Sequence, residues 1–133
     1  MTVTRTAIHL PAFAHANPIP VASRVGPLVT SGALTGRDPA TGDMPPTLDA
    51  QLHRVFALIA EVMHAAGGSL DDIAKLTFHL RDYRDRDALN REWTAMFPGR
   101  DTMPARQVVA AELDGGALVH ADLIAWIDDR GPE

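Results

Sequence analysis

The sequence predicts a fold of mixed α and β structure, in which one sheet carries two helices on the same face. Segments that alternate between apolar and polar residues indicate strands, and two segments with apolar residues three and four positions apart indicate helices. In chain order they read strand, strand, strand, helix, strand, helix, strand, strand. A helix that joins two strands implies a parallel, right-handed crossover, and two such units place both helices on one face.

The N-terminal segments predict three strands. Residues 4–10 are a short candidate strand, and a loop rich in proline and alanine follows at 11–20. Residues 21–25 and 28–34 predict a hairpin because Gly26 and Pro27 between them are typical of a turn. Residues 36–46 contain further turn residues and lead into the first helix.

The clearest helix begins near Leu48, and Gly67 and Gly68 predict its end through a left-handed cap. Residues 73–81 then alternate as a strand. One face of that strand comprises Leu76, Phe78 and Leu80, and the other comprises Thr77, His79 and Arg81. A second helix carries its apolar stripe on Leu89, Trp93, Met96 and Phe97. Two final strands, at 107–111 and 117–127, close the chain.

The predicted topology leaves one face of the sheet without a helix. A half-covered sheet commonly finds a partner, and a closed ring of identical copies is the usual arrangement. We therefore expect the chain to assemble with copies of itself.

Composition narrows the functional classes. A chain of 133 residues fits one domain, taken as 1–133. It contains no cysteine, which excludes disulfide and thiolate chemistry and is compatible with the cytoplasm. No segment resembles a secretory signal or reaches the roughly 20 apolar residues that span a bilayer, so no membrane partner is expected. The net charge of −5 opposes binding to nucleic acid.

The tripeptide Pro104-Ala105-Arg106 opens an apolar strand. A guanidinium fixed at the start of a strand is a planar fork that can bind a carboxylate through two parallel hydrogen bonds. His120 follows on the last strand and supplies a titratable group, which we expect on a neighbouring strand. The pair predicts a site for a small acidic metabolite. The alternative is that Arg106 forms a surface ion pair or is a structural arginine at the end of a strand.

Several short motifs occur in a specific order between Pro18 and Ile127. They are Val29-Thr-Ser-Gly32, Asp38-Pro-Ala-Thr-Gly42, the run from Ala65 to Lys75, Asp82 with Leu89-Asn90, Phe97, and Pro104-Ala-Arg106. Through these motifs the chain resembles the Rid family of reactive-intermediate deaminases, also called the YjgF family. The resemblance implies a chorismate-mutase-like α+β fold and a homotrimer with a ligand cleft at each subunit interface.

The resemblance also implies a chemistry. Rid proteins hydrolyse an enamine or imine, such as 2-aminoacrylate, to a 2-keto acid and ammonia, without a metal or organic cofactor. The arginine of the Pro-Ala-Arg motif binds the substrate carboxylate, and this role carries to Arg106. Ser31 and Gly32 would line the cleft, with close packing in a hairpin as the alternative for the glycine. Asn90 would hydrogen-bond near the cleft, unless it is simply an exposed helix residue.

The chain departs from the family pattern at positions close to the chemistry. Active members usually carry a Val-Glu-Ile run on the last strand, whose glutamate positions the attacking water, and here the run is Val119-His120-Ala121. Ile19 stands where an aromatic residue is frequent, and Arg86 stands where a phenylalanine is common. His79 occupies an ordinarily apolar or aromatic position. The carboxylate-binding part is kept, while the water-activating and substrate-covering parts are changed.

His120 is the candidate for the missing glutamate. A neutral imidazole near pH 7 is a competent general base. Asp122 points to the same strand face and could orient His120 or act itself, although solvation at a strand end would also account for it. The alternative for His120 is a residue that fills an interface after the activity was lost or altered.

Four functions therefore stay open at the level of the sequence. The first is an imine or enamine hydrolase with His120 and Asp122 as the catalytic pair. The second is a different reaction in the same cleft, in a specialised pathway, and the third is a non-catalytic binder of small carboxylates. The fourth, an RNA-cleaving translation inhibitor, is opposed by the acidic charge and by the lack of an aromatic cluster for base stacking. The other histidines show no metal-ligand spacing.

Overall fold

The structure is a computed structural model that describes residues 4–11 and 18–128. Its strands are β1 (Arg5–Ile8), β2 (Ala22–Val25), β3 (Leu28–Ser31), β4 (Leu34–Thr35), β5 (Ile73–Leu80), β6 (Ala105–Ala110) and β7 (Val119–Trp126). Its helices are α1 (Leu48–Ala65), α2 (Arg86–Met96) and a short 3₁₀ helix at Leu70–Asp72. The predicted order of elements is confirmed, except that the segment predicted as one strand at 28–34 forms two.

One mixed sheet has the strand order β1-β2-β3-β7-β5-β6, with β4 also paired to β7. Strands β5 and β6 are parallel, as expected for a pair joined by the crossover helix α2. Strand β7 runs antiparallel to both β3 and β5. The sequence-based expectation that His120 lies on a strand next to that of Arg106 is wrong, because β5 lies between β6 and β7. The segment that joins β6 to β7 is tied to the end of β5, through Ala111 N–H to Leu80 O and Arg81 N–H to Leu118 O, each 3.0 Å.

The predicted third strand is interrupted by a bulge. Thr30 pairs with Ile124 and Leu34 pairs with Ala121, so the three residues 31–33 face only the two residues 122–123 of β7. The hydroxyl of Ser31 accepts the N–H of Leu123 at 3.0 Å and thus takes the place of a main-chain acceptor. A bulge of this kind bends a strand and redirects its side chains.

Helix α1 begins and ends where its local sequence predicts. The hydroxyl of Thr47 accepts the N–H of Ala50 at 3.2 Å, which satisfies one of the free donors of the first turn. Gly67 has φ +87°, the left-handed conformation that a glycine cap adopts readily. The core lies between the helices and the sheet, where Phe78 of β5 stacks on Phe56 of α1 at 5.4 Å and meets the edge of Trp93 of α2 at 6.2 Å.

Among residues 4–11 and 18–128, no helix covers the opposite side of the sheet, which we call the open face. The buried residues Val119, Ala121, Leu123 and Ala125 of β7 alternate with the more accessible His120, Asp122, Ile124 and Trp126, which therefore lie on the open face. One end of this face is apolar. It includes Trp126, which is 58% exposed, Ile124 at 43%, and Leu28 and Val25 at 38% each.

Candidate functional site

His120 and His79 face each other across two central strands. The antiparallel register of β5 and β7 places them directly opposite one another. Their ring centroids lie 4.5 Å apart with an interplanar angle of 61°, an edge-to-face arrangement. The sequence indicates each histidine but not their pairing. The alternation of each strand predicts two outward histidines, whereas the register that joins them leaves no local sequence pattern.

Asp122 lies on the same face and is directed toward this pair. Its carboxylate oxygen Oδ2 is 4.0 Å from Nδ1 of His79, which is an ion-pair distance and too long for a hydrogen bond. Nδ1 of His79 is buried and has no hydrogen-bond partner within the part of the chain that the structure describes. Asp122 therefore forms an ion pair with His79 only when that histidine is protonated, and its influence on His120 is electrostatic.

The surroundings of His120 favour its neutral form. Burial lowers the pKa of His120 below the ordinary value of 6.5, and the neighbouring His79 lowers it further, while Asp122 acts in the opposite direction. A neutral imidazole at pH 7 has a lone pair that can accept a proton, so His120 has the protonation state that a general base requires.

Ser31 and Gly32 form the bulge beside β7. Ser31 Oγ donates to the carbonyl of Gly32 at 2.8 Å, and the N–H of Gly32 donates to the carbonyl of Val21 at 3.0 Å. A Cβ atom added to Gly32 would come no closer than 3.9 Å to the atoms around it, so packing within the described chain does not require a glycine there. Ile19, which precedes Val21 by two residues, is 49% exposed.

Arg106 lies on the opposite side of the sheet. It pairs in register with the buried Leu76, and its guanidinium carbon is 5.1 Å from the ring centre of Trp93, over the helix layer. It is half-buried and makes no hydrogen bond or ion pair with residues 4–11 or 18–128. Burial and, second, the charge of Arg86 lower the pKa of Arg106, and an arginine remains charged at neutral pH.

Arg86 and Asn90 lie one turn apart on α2 and so share a face of that helix. Arg86 rests on the ring of Tyr83, with its guanidinium carbon 4.4 Å from the ring centre. The side chain of Asn90 is exposed. Arg86 and Arg106 place two positive charges close together beside an aromatic surface, an arrangement that attracts an anion.

Apart from Ile19, the sequence-predicted site residues fall into two clusters within one chain, and His79 joins one of them. We call Arg106, Arg86 and Asn90 the arginine cluster, and His120, His79, Asp122, Ser31 and Gly32 the histidine cluster. The first lies on the helix side of the sheet and the second on or beside the open face. One chain alone does not bring the guanidinium of Arg106 and the imidazole of His120 together.

A shallow depression of about 580 Å³ lies at the end of β5 and β6. It is lined by Arg81, Ala110, Ala111, Glu112, Leu113 and Asp114. Arg81 follows His79 on the same strand face, and its guanidinium donates to the carbonyl of Leu113.

The described residues show neither a metal centre nor a membrane helix. Among residues 4–11 and 18–128, no group of three or more histidine, aspartate or glutamate side chains is arranged to hold a metal ion. Within the same ranges, no helix is both long and apolar enough to cross a bilayer. His53 is an exposed residue of α1, and its Nδ1 lies 3.3 Å from a carboxylate oxygen of Glu92.

The α+β fold and the motifs on it define the class of protein. Residues 12–127 match the family model of endoribonuclease L-PSP, the older description of the YjgF/Rid proteins. The chain belongs to this family, as the resemblance of its motifs predicts.

Relatives with known descriptions agree with this assignment. The chain is 30% identical over 100 residues to the 2-iminobutanoate/2-iminopropanoate deaminase of Escherichia coli K12, a match that covers 74% of this chain and 77% of the deaminase. It is 38% identical over 68 residues to the mitochondrial protein mmf2 of Schizosaccharomyces pombe, which is about half the length of each chain. The crystal structure of RidA from an Antarctic Psychrobacter superposes with a TM-score of 0.84 at 31% identity, covering 92% of this chain and 99% of RidA.

Proposed function

We propose that the protein hydrolyses small imines and enamines that carry a carboxylate, such as 2-aminoacrylate, to 2-keto acids and ammonia. The observation that carries the proposal is Arg106, a half-buried guanidinium without an anionic partner among the described residues. Keeping such a charge partly desolvated is unfavourable unless a ligand compensates for it. The deaminase relative from Escherichia coli supports an imine as that ligand.

In this proposal the arginine cluster binds the substrate. Arg106 holds the carboxylate through two parallel hydrogen bonds, and the ring of Trp93 beneath it fixes the plane of the fork. Arg86 adds a second positive charge, and Asn90 supplies hydrogen bonds at the edge. Ile19 and the Ser31–Gly32 bulge would cover the substrate.

His120 then acts as the general base. An enamine such as 2-aminoacrylate first tautomerises to its imine, as one proton leaves the nitrogen and another is added to the terminal carbon. Water attacks the imine carbon, a C–O bond forms, and the π electrons of the C=N bond move to the nitrogen. His120 accepts a proton from the water and returns it to the nitrogen, which gives a carbinolamine. A second transfer, from the hydroxyl group to the nitrogen, breaks the C–N bond and releases ammonia and the 2-keto acid. The imidazole is neutral again at the end of the reaction, so the next cycle needs no further reactant.

The proposal requires a second copy of the chain. Because the two clusters lie on opposite sides of one sheet, a complete cleft needs the arginine cluster of one copy beside the histidine cluster of the next. A homotrimer with three such clefts, as the family resemblance implies, meets this requirement. The apolar end of the open face supports it, since Trp126 and Ile124 would be covered by a neighbouring copy.

Calorimetry with pyruvate, a 2-keto acid product, tests the role of Arg106. The change Arg106→Ala should weaken binding by on the order of 2–5 kcal/mol, because a charge-assisted bidentate pair is lost. The affinity of Arg106→Lys for pyruvate should lie between those of the parent and Arg106→Ala, because lysine keeps the charge but lacks the planar guanidinium. Arg91→Ala is the matched control, because Arg91 is exposed and pairs with Asp49 at 3.1 Å. Equal affinity in parent and Arg106→Ala would remove Arg106 from the site.

Turnover of freshly generated 2-aminoacrylate tests the role of His120. The change His120→Ala should lower the rate about 10²–10⁴-fold while pyruvate affinity is retained. His120→Glu should restore hydrolysis, because it returns the residue that active relatives usually carry. A parent protein that binds pyruvate but does not exceed the buffer rate would instead be a carboxylate binder or an enzyme with altered chemistry.

A further inference from the structure

His79 occupies a position whose chemistry the proposed reaction does not use directly. In the register of the sheet, His79 lies between its partners His120 of β7 and Val109 of β6. Thr35 of β4 pairs with His120 from the other side. The ring of His79 is the ionisable group packed directly against His120, with 4.5 Å between ring centroids. Any charge on one imidazole is therefore felt by the other.

The charged side chains before and after His79 on this face have contacts of their own. Lys75 of β5 donates to Oε1 of Gln107 on β6 at 3.3 Å, and Arg81 donates to the carbonyl of Leu113. Strand β4 contributes the neutral Thr35 at this level, and β6 contributes the neutral Val109 and Gln107. Asp122 of β7 is the anion at the pair, 4.0 Å from Nδ1 of His79.

The carboxylate of Asp122 favours a tautomer of His79 with its proton on Nδ1. Nδ1 is buried and lacks a hydrogen-bond partner among the described residues, so the nearby carboxylate is its source of stabilisation. The same carboxylate raises the pKa of His120, whereas the neighbouring His79 lowers it. The three side chains are thus arranged in the spatial order Asp122, His79, His120, with His120 as the proposed base.

We infer that His79, held by Asp122, is a positioning residue that orients His120 and opposes its protonation, so that His120 stays available as the base. This inference deepens the proposed function and rests on it. The edge-to-face contact limits rotation of the His120 ring. A positive charge on His79 repels a proton from His120, whereas the carboxylate of Asp122 attracts one to the pair.

Histidine side-chain NMR titration of the full chain tests the inference without an activity assay. The change His79→Phe keeps an aromatic ring but removes the second imidazole, so the titration midpoint of His120 should rise. Asp122→Asn should move the midpoint in the opposite direction. His79→Gln should act like His79→Phe and serves if the phenylalanine variant fails to fold. His64→Phe, an exposed change on α1 in the helix layer, should leave the midpoint of His120 unchanged.

The pH–rate profile separates the inference from the proposed function. If both hold, the acid limb of kcat/KM should move with the NMR midpoint in each variant. Midpoints of His120 that do not change in His79→Phe and Asp122→Asn would overturn the inference, even if the parent hydrolyses imines. Midpoints that move as expected in a protein without turnover would show that the coupling is real and that its assigned role in imine hydrolysis is wrong.

Discussion

At the scale of single residues, Gln51 shows how one side chain can join three segments. It is fully buried in α1, and its amide nitrogen donates to the carbonyls of Pro45 at 2.7 Å and Gly116 at 3.1 Å. Its amide oxygen accepts the N–H of Leu118 at 2.7 Å. The side chain therefore connects α1 to the loop before it and to the segment that leads into β7.

We predict that Gln51→Met destabilises the protein by roughly 3 kcal/mol or more. Methionine is close to glutamine in volume, so the loss comes from three partly buried hydrogen bonds to the main chain, at about 1 kcal/mol each. Urea denaturation measures the free energy of unfolding. His64→Met, an exposed change on the same helix, should stay within about 0.5 kcal/mol of the parent. A Gln51→Met protein as stable as the parent would mean that the main-chain groups find other partners.

His120 allows a second prediction at the residue scale, on how the stability of the protein depends on pH. Folding lowers the pKa of His120 below 6.5, so the unfolded chain binds a proton more readily at this position than the folded chain does. This contribution to stability is complete above pH 6.5 and is lost as the pH falls through and below that value. The stability difference between pH 7.5 and pH 5 should be smaller in His120→Gln than in the parent. Identical pH dependence in both proteins would contradict a lowered pKa.

At the scale of secondary-structure elements, a close main-chain contact joins the end of β4 to α1. A Cβ atom on Gly36 would lie 2.5 Å from the carbonyl oxygen of Gln51 and 2.6 Å from its Cα atom. Real side chains do not approach main-chain atoms this closely, so the two elements would have to move apart. Gly36 is a packing requirement of the fold.

Two glycine variants therefore form a matched pair. Gly36→Ala should destabilise the protein by about 1–3 kcal/mol, as overpacking does. Gly32→Ala should leave stability nearly unchanged, because an added Cβ would meet only the carbonyl of Val21 at 3.9 Å. If Gly32 lines the proposed cleft, Gly32→Ala should nevertheless weaken pyruvate binding. Thermal denaturation and calorimetry on the same samples measure the two effects, and a strongly destabilised Gly32→Ala protein would contradict the packing argument.

At the scale of the whole molecule, the separation of the two clusters predicts complementation between inactive variants. Arg106→Ala and His120→Ala damage different clusters, so in a mixed ring some clefts receive both intact clusters. Random mixing in equal amounts should leave about one cleft in four complete in a cyclic assembly. Co-expressed variants should therefore recover about a quarter of the parent activity on 2-aminoacrylate.

Each variant alone is the control for complementation, and sedimentation should first show a particle of three chains. Mixed particles with no more activity than the separate variants would place both clusters in one copy or exclude one of them from the reaction. A parent that sediments as a monomer at micromolar concentration would rule out the cleft between copies.

Local physics made much of the fold predictable from the sequence. The alternation in β5 separates Leu76, Phe78 and Leu80 from Thr77 and His79 without any knowledge of the neighbours. The apolar repeat of α1 and the glycine after it likewise depend on residues within a few positions. Sequence motifs then identified the family, and with it Arg106 and His120 as candidate site residues.

Only the tertiary structure decided which of these residues meet. Strand order and register arise from hydrogen bonds between distant segments, so no local pattern predicts that β5 separates β6 from β7 or that His79 faces His120. The same holds for Gln51, a polar helix residue whose burial depends on two loops that are distant in sequence. The sequence by itself determined the elements, the family and the candidate chemistry. The packing of the sheet placed Arg106 and His120 on opposite sides, because side chains alternate along a strand and only the finished sheet shows which side the helices cover.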